Sequence, residues 1–430
     1  VDRTMSQLKI SSLSSATIGE MLLLAATLER ESGIPFIRMD QGIPGLDPCV
    51  IGMDAEKEAL DEGVASRYPA AEGVAVLKEE TSRFVKAFLD VDISAASCLP
   101  TVGSVTGSFG SFVICTQLDA KKDTILFVDP GFPIQKSQLR ILGVKYISFD
   151  VFEYRGEKLR GKLDEILSCG NIAGIVYSSP NNPTWITFTH EELRIIGEAA
   201  TRYDTIVLED LAYLGMDFRE DYGIPFCEPY IPTVARYTDN YMLFISASKI
   251  FSYAGQRVAT CCVSDRLYNR CYPLLGERYS GAGHFGITFT NAIMYMITSG
   301  VTHSVQMALA KMFRASSDGR FNFVRYTSEY GRRAKRMKEI LARHGFHVVY
   351  DTDIDREISD GFFFTIGYGD LTCAELVSEF VYYGISSISL STTGSLREGV
   401  RACTSRITDD MLEMLDHRLG LFDEAQRNKK

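Results

Sequence analysis

Tryptophan and histidine are scarce in this chain of 430 residues, which has one Trp and six His. No histidine sits in a metal-ligand pattern, so no metal is expected and histidine-centred catalysis is not the first reading. The ten cysteines form no C-x-x-C pair and no regular spacing, which argues against a zinc site or a disulfide framework. Buried reduced thiols, as in a cytoplasmic protein, fit better. No apolar run approaches the roughly 20 residues of a membrane helix. The opening VDRTMSQLKISS also lacks the apolar core of a secretion signal. Long basic runs are missing and the net charge is −10, which argues against nucleic acid as the main partner. What remains is an ordinary globular composition, 46% hydrophobic, in a chain long enough for two or three domains.

The pattern along the chain is one of alternating strands and helices. Helical spacing runs over Ala16 to Ser32, then around Cys49 to Glu62 and Val74 to Leu89. Between the first two lies Arg38 to Pro48, dense in turn residues. It reads either as a plain loop or as a backbone lip beside a ligand, with Gly42 allowing close approach. Leu99 to Val102 leads into Gly103-Ser104-Val105-Thr106-Gly107-Ser108 and a helix-like run. A Gly/Ser/Thr turn opening a helix offers N–H groups to a phosphate, although a plain capped helix is the alternative. It has neither the G-K-[ST] of a Walker loop nor the spacing of a dinucleotide site.

Strand patterns follow at Thr124–Val128, Lys145–Phe149, Ala173–Tyr177, Thr205–Glu209, Tyr241–Ile245 and Val258–Val263. Several are continuously apolar, as expected for strands covered on both faces, with helices between many of them. The expected fold class is therefore α/β, a mainly parallel, helix-covered sheet, and ligands in such sheets bind at the carboxyl ends of the strands. The notable sequences fall there: Asp129-Pro130-Gly131-Phe132, Ser179-Pro180-Asn181-Asn182-Pro183-Thr184, Glu209-Asp210-Leu211-Ala212-Tyr213 and Ser246-Ala247-Ser248-Lys249.

These four ends are chemically complementary. A desolvated lysine attacks carbonyl groups, and serines with Arg257 suit a phosphate. Asp210 would hold the proton on a pyridine nitrogen, Tyr213 and Asn182 would donate to a ring oxygen, and Phe132 would stack on the ring. Each has a duller reading: a surface lysine, a helix cap, a turn, a core phenylalanine. Jointly the dull readings require four coincidences. Beyond about Ser299 the pattern changes to a smaller α+β region with helices at His303–Phe313 and Tyr326–His344. Short strands include Val400–Cys403, and a last helix covers Thr408–Phe422. Arg401 is either an edge-strand arginine or a clamp for a substrate carboxylate.

With N-N-P-T, D-L-A-Y and S-A-S-K, and an arginine eight residues past the lysine, the chain resembles the class I/II aminotransferases of fold type I, related to aspartate aminotransferase. The resemblance implies a homodimer binding pyridoxal 5′-phosphate and exchanging an amino group between an α-amino acid and a 2-oxo acid. A C–S or other β-elimination lyase on the same scaffold is the alternative. It implies Lys249 as the lysine that forms the internal aldimine and shuttles a proton, with Asp210 and Tyr213 also catalytic. The cofactor would be bound by Gly103, Ser104, Val105, Phe132, Asn182, Asp210, Tyr213, Ser246, Lys249 and Arg257, and by Tyr68 from the neighbouring subunit. Gly42, Asn182 and Arg401 would receive the substrate carboxylate. The implied division is an N-terminal arm over 1–48, a cofactor domain over 49–300 and a small domain over 301–430. There are two departures. Trp185 follows N-P-T where the family usually has glycine, and no clear counterpart of the dicarboxylate-reading arginine stands in the region of Tyr279 to Phe285, where His284 either reads a polar substrate or is structural.

Overall fold

Seven strands form one sheet in a computed structural model that describes residues 1–13 and 15–429. With β1 at Ile37–Arg38, these are β2 (Cys98–Thr101), β3 (Thr124–Asp129), β4 (Lys145–Asp150), β5 (Ile172–Ser178), β6 (Ile206–Asp210), β7 (Tyr241–Ser246) and β8 (Ala259–Val263). Their order is β2-β8-β7-β6-β5-β3-β4. Only β8 runs against the rest, pairing antiparallel with both β2 and β7. The continuous apolar runs have the expected cause: every residue of β3, β5, β6 and β7 is buried. At the edge, β4 is half exposed and opens on Lys145, paired to Asp123 at 2.7 Å, a charge that discourages pairing with another chain.

Helices cover both faces. Helix His190–Arg202 starts at a capping box in which Thr189 and Glu192 satisfy each other's backbone N–H groups. Helix Ile18–Ser32 starts in the same way at Thr17 and Glu20 and ends at Gly33, whose φ of 69° suits a residue without Cβ. The short helix Asp2–Leu8 has no counterpart in the sequence reading.

A second core surrounds a four-stranded sheet made of Phe346–Val348, Phe363–Tyr368, Ile388–Ser389 and Val400–Cys403. Met21, Leu24, Phe36 and Ile37 from the N-terminal segment join it, with Leu412, Leu415, Leu419 and Phe422 of the last helix. Helix His303–Ser317 lies just past residue 301 and packs on the large sheet. Its Leu309, Met312 and Phe313 belong to the core of the seven-stranded sheet, where Phe313 stacks on Phe84 at 4.3 Å. Helix Glu329–Arg343 sends Ala334, Met337, Ile340 and Leu341 into the second core, while Tyr330 and, further on, Tyr350, Phe362, Phe363 and Cys403 pack in the first. Among the described residues, no helix is long and apolar enough to cross a membrane, and no cluster of His, Cys, Asp or Glu is arranged to hold a metal.

Candidate active site

β2, β3, β5, β6 and β7 all end at one edge of the large sheet, and β8 begins there. That arrangement brings residues distant in sequence to a cavity of about 320 Å³. Its wall includes Ser104 and Val105 after β2, Phe132 after β3, Asn182 after β5, Asp210 and Tyr213 at and after β6, and Ser246 and Lys249 at and after β7. Arg257, just before β8, completes this half. The facing wall comes from the second sheet and the N-terminal segment, with Gly42, Phe363 and Arg401.

Lys249 sits on a single helical turn, Ala247–Ile250, whose start is capped by the Ser246 hydroxyl. Its Nζ donates to the Gly42 carbonyl. Burial disfavours the ammonium and lowers the Lys249 pKa to about 8. At pH 7 about one Lys249 in ten is then the neutral nucleophile, against fewer than about one in a thousand for an ordinary lysine. The rate at which cofactor-free protein captures an aldehyde is therefore expected to rise nearly tenfold per pH unit and level off above about pH 8. Stopped-flow absorbance across pH 6 to 10 checks this.

Asp210 is buried at the end of β6, where Ala212 N–H donates to Oδ1 at 3.1 Å and Gln135 Nε2 to Oδ2 at 3.3 Å. Burial pushes its carboxyl up to about 6, which still leaves it mostly ionised at neutral pH. Burial also raises the Tyr213 phenol, which stays a proton donor. Arg401 is buried, with Nη1 donating to Asn182 Oδ1 at 3.2 Å and Nη2 to the Asp40 carbonyl at 2.7 Å. Its Nε has no hydrogen-bond partner among the described residues. The guanidinium lies 4.4 Å from the ring centre of Phe363. Because Asn182 accepts through its oxygen, its NH₂ remains to donate into the cavity.

Four of the residues singled out in the sequence stand outside this wall. Gly103 (φ 69°) opens helix Gly103–Cys115 beside Arg257; a Cβ there would come within 2.4 Å of Nη2. Tyr68 is 88% exposed on a separate surface cleft. Trp185 is buried behind Tyr213 and Phe363. His284 faces Cys271 Sγ at 3.2 Å and the Asn269 carbonyl at 3.1 Å, away from the cavity. Several wall residues carried no sequence signal. Phe363 lies in an ordinary apolar strand, and Leu22, Ile43 and Ile134 are apolar side chains like any others. Ser178 and Ser248 adjoin residues that were singled out.

The site thus sets a lysine, an acid and hydroxyls at the carboxyl edge of an α/β sheet, facing a buried arginine on a second sheet. A family model for aminotransferase class I and II matches residues 34–419, and the chain belongs to that family. A probable aspartate aminotransferase of Methanocaldococcus jannaschii is 26% identical over 231 residues, 54% of this chain and 58% of that protein. An S-alkyl-thiohydroximate lyase of Arabidopsis thaliana is 20% identical over 210 residues, 48% and 45% of the two chains. The chain thus spans about half the length of the curated relatives it matches. In fold it is similar to a Thermus thermophilus aspartate aminotransferase double mutant, with a TM-score of 0.75 at 18% identity over 97% of this chain and 98% of that one. The architecture is that of the fold-type I aminotransferases.

Proposed function

We propose that this chain is a pyridoxal-phosphate-dependent aminotransferase moving an amino group between an α-amino acid and a 2-oxo acid. The carrying observation is that Lys249, Asp210 and Arg401, on three separate elements, face one cavity. The residues fit the cofactor. Ser104, Ser246 and Arg257, with the Val105 N–H and the first turn of helix Gly103–Cys115, would hold its phosphate. Asp210 would face the ring nitrogen, Tyr213 and Asn182 the ring oxygen, and Phe132 the ring face. When bound, the cofactor supplies an electron sink for charge left at the substrate α-carbon.

The chain's own groups do the rest. Arg401 binds the substrate carboxylate through a planar fork, its unpartnered Nε supplying a further donor. Gly42 and Asn182 line the same end of the cavity. Lys249, freed from Gly42, removes a proton from the substrate α-carbon and later returns one. Asp210 keeps a proton on the ring nitrogen, and the apolar surroundings of the cavity exclude water.

The proposal includes a homodimer. The cleft beside Tyr68 is lined by Leu60 and Pro69, and the exposed Tyr295, Met296 and Ile297 precede its further wall at Thr298 to Ser304. Such a face would bring Tyr68 to the partner's phosphate site. It also includes a cytoplasmic setting, in keeping with cysteines that are mostly buried thiols. The working division is a cofactor domain reaching to about residue 330 and a smaller domain beyond it, joined by the N-terminal segment.

The cations lining the cavity are Lys249, Arg257 and Arg401, each with a role above, while Leu22, Ile43, Ile134 and Phe363 supply apolar wall. A second substrate carboxylate would lose water without gaining a partner. Donors with apolar side chains are expected to exceed aspartate in kcat/KM by at least about tenfold, since an unpaired buried charge costs more than 1.4 kcal/mol. Steady-state kinetics over a donor panel measures it.

The reading is tested with cofactor-loaded protein and single amino acids, without oxo acid. Bleaching of the visible band with one equivalent of oxo acid and no ammonia is expected. Catalytic ammonia with pyruvate would replace the proposal by β-elimination, the reaction class that the similarity to a carbon–sulfur lyase keeps in view.

A further inference from the structure

Trp185 is the chain's only tryptophan and is fully buried, yet its backbone has φ 67°, the left-handed region that bulky side chains rarely enter. A tight loop holds it there. Trp185 N–H donates to the Asn181 carbonyl at 2.9 Å, and Asn181 N–H to the Ile186 carbonyl at 2.9 Å. The Thr184 hydroxyl donates to Asn181 Oδ1 at 2.8 Å. An outlier that its surroundings enforce this firmly marks a place where a side chain is being aimed.

The indole is aimed from the large sheet toward the strand Phe363–Tyr368 of the second sheet. It lies edge-on to Tyr213 at 5.4 Å and to Phe363 at 6.3 Å. Behind it is Gly361, where a Cβ would sit 2.1 Å from the ring, so the backbone just before strand Phe363–Tyr368 closes directly on the indole. Phe363 in turn underlies the Arg401 guanidinium at 4.4 Å and abuts the Gly42 backbone. Two residues on, Thr187 donates to Asp353 of the hairpin formed by Thr352–Asp353 and Arg356–Glu357 at 2.5 Å, and Arg219 reaches the same carboxylate at 2.8 Å. Segment 185–187 therefore ties the large sheet to the hairpin at Asp353 and to the strand that begins at Phe363, directly behind the cavity.

We propose that Trp185 is a positioning residue: its indole fixes the distance between Tyr213 on one wall and the Phe363–Arg401 pair on the other, and so sets the grip on the substrate carboxylate. This rests on the function proposed above. A tryptophan that merely fills space would affect stability, whereas a spacer also affects ligand affinity at temperatures far below melting.

The test titrates holoenzyme with 2-methylalanine, which carries a carboxylate and an amine but no α-proton, and reads the visible cofactor band. Trp185→Phe, which keeps an aromatic edge, is expected within about threefold of the wild type, and Trp185→Leu to bind at least about tenfold more weakly, or 1.4 kcal/mol. Combining Trp185→Leu with Phe363→Leu should weaken binding by less than the product of the two single losses, because both act through one contact. Gly361→Ala is the second variant. It keeps the indole but forces it or the facing backbone to shift, and it too is expected to weaken binding. Wild-type affinity in Trp185→Leu or in Gly361→Ala, with only the melting temperature lowered, would overturn the proposal. A wild type that shows no cofactor band would overturn the proposed function itself, and this inference with it.

Discussion

Lys249→Ala is expected to remove transamination almost entirely, with kcat down at least about 10³-fold. A positioned acid–base group contributes about 10² to 10⁴ on its own, and on the proposed reading the same amine is also the covalent partner of the cofactor. Nothing nearby replaces it. Arg257 and Arg401 are the other cations on the cavity wall, and guanidinium groups do not give up protons at working pH. The fold should tolerate the change, because the lysine's one hydrogen bond is to the Gly42 carbonyl, which faces the cavity. Purified variant should keep its melting behaviour without cofactor while losing turnover. Added alkylamines should restore a small fraction of the rate by supplying a free base.

Arg401→Leu is the second large effect, and it should fall on substrate rather than on cofactor. The guanidinium is buried, packed on Phe363, and tied to Asn182 and the Asp40 carbonyl. Removing one partner of a buried charge pair costs about 2–5 kcal/mol, so kcat/KM should fall by about two orders of magnitude or more. Most of the loss belongs in KM, because the carboxylate is held alike in ground and transition states. Arg401→Lys is expected to recover little, since an ammonium lacks the planar fork. Cofactor affinity, measured by absorbance titration, should change less than threefold in either variant. A loss confined to kcat would place Arg401 elsewhere in the reaction.

The sequence showed the large sheet because its central strands are buried on both faces. Runs such as Ile-Val-Leu in β6 have no polar face to confuse with a helix. The cavity side chains were legible for a related reason. Asp210, Asn182 and Lys249 each follow such a run, and a polar group at the end of a buried strand stands out. Helix His303–Ser317 was harder, since its amphipathic spacing shows that one face is buried but not against which sheet. Phe363 looks like any core phenylalanine until the fold sets Arg401 on it. Asp40 is marked by nothing local, yet its carbonyl fixes Arg401 while its carboxylate takes Arg38 at 2.8 Å and the Ser386 hydroxyl at 2.5 Å. Trp185 was visible as a departure, but its neighbours Gly361 and Phe363 lie far along the chain. Long-range juxtaposition, not local propensity, is what these residues share.

The central claim is that Lys249 holds the cofactor, and reductive trapping tests it most directly. Protein loaded with pyridoxal 5′-phosphate is treated with borohydride, digested and mapped by mass spectrometry. The account predicts one adduct per chain, on the peptide containing Lys249, and none at that position in Lys249→Ala. An adduct concentrated on another lysine, or no adduct beyond scattered surface labelling, would contradict it.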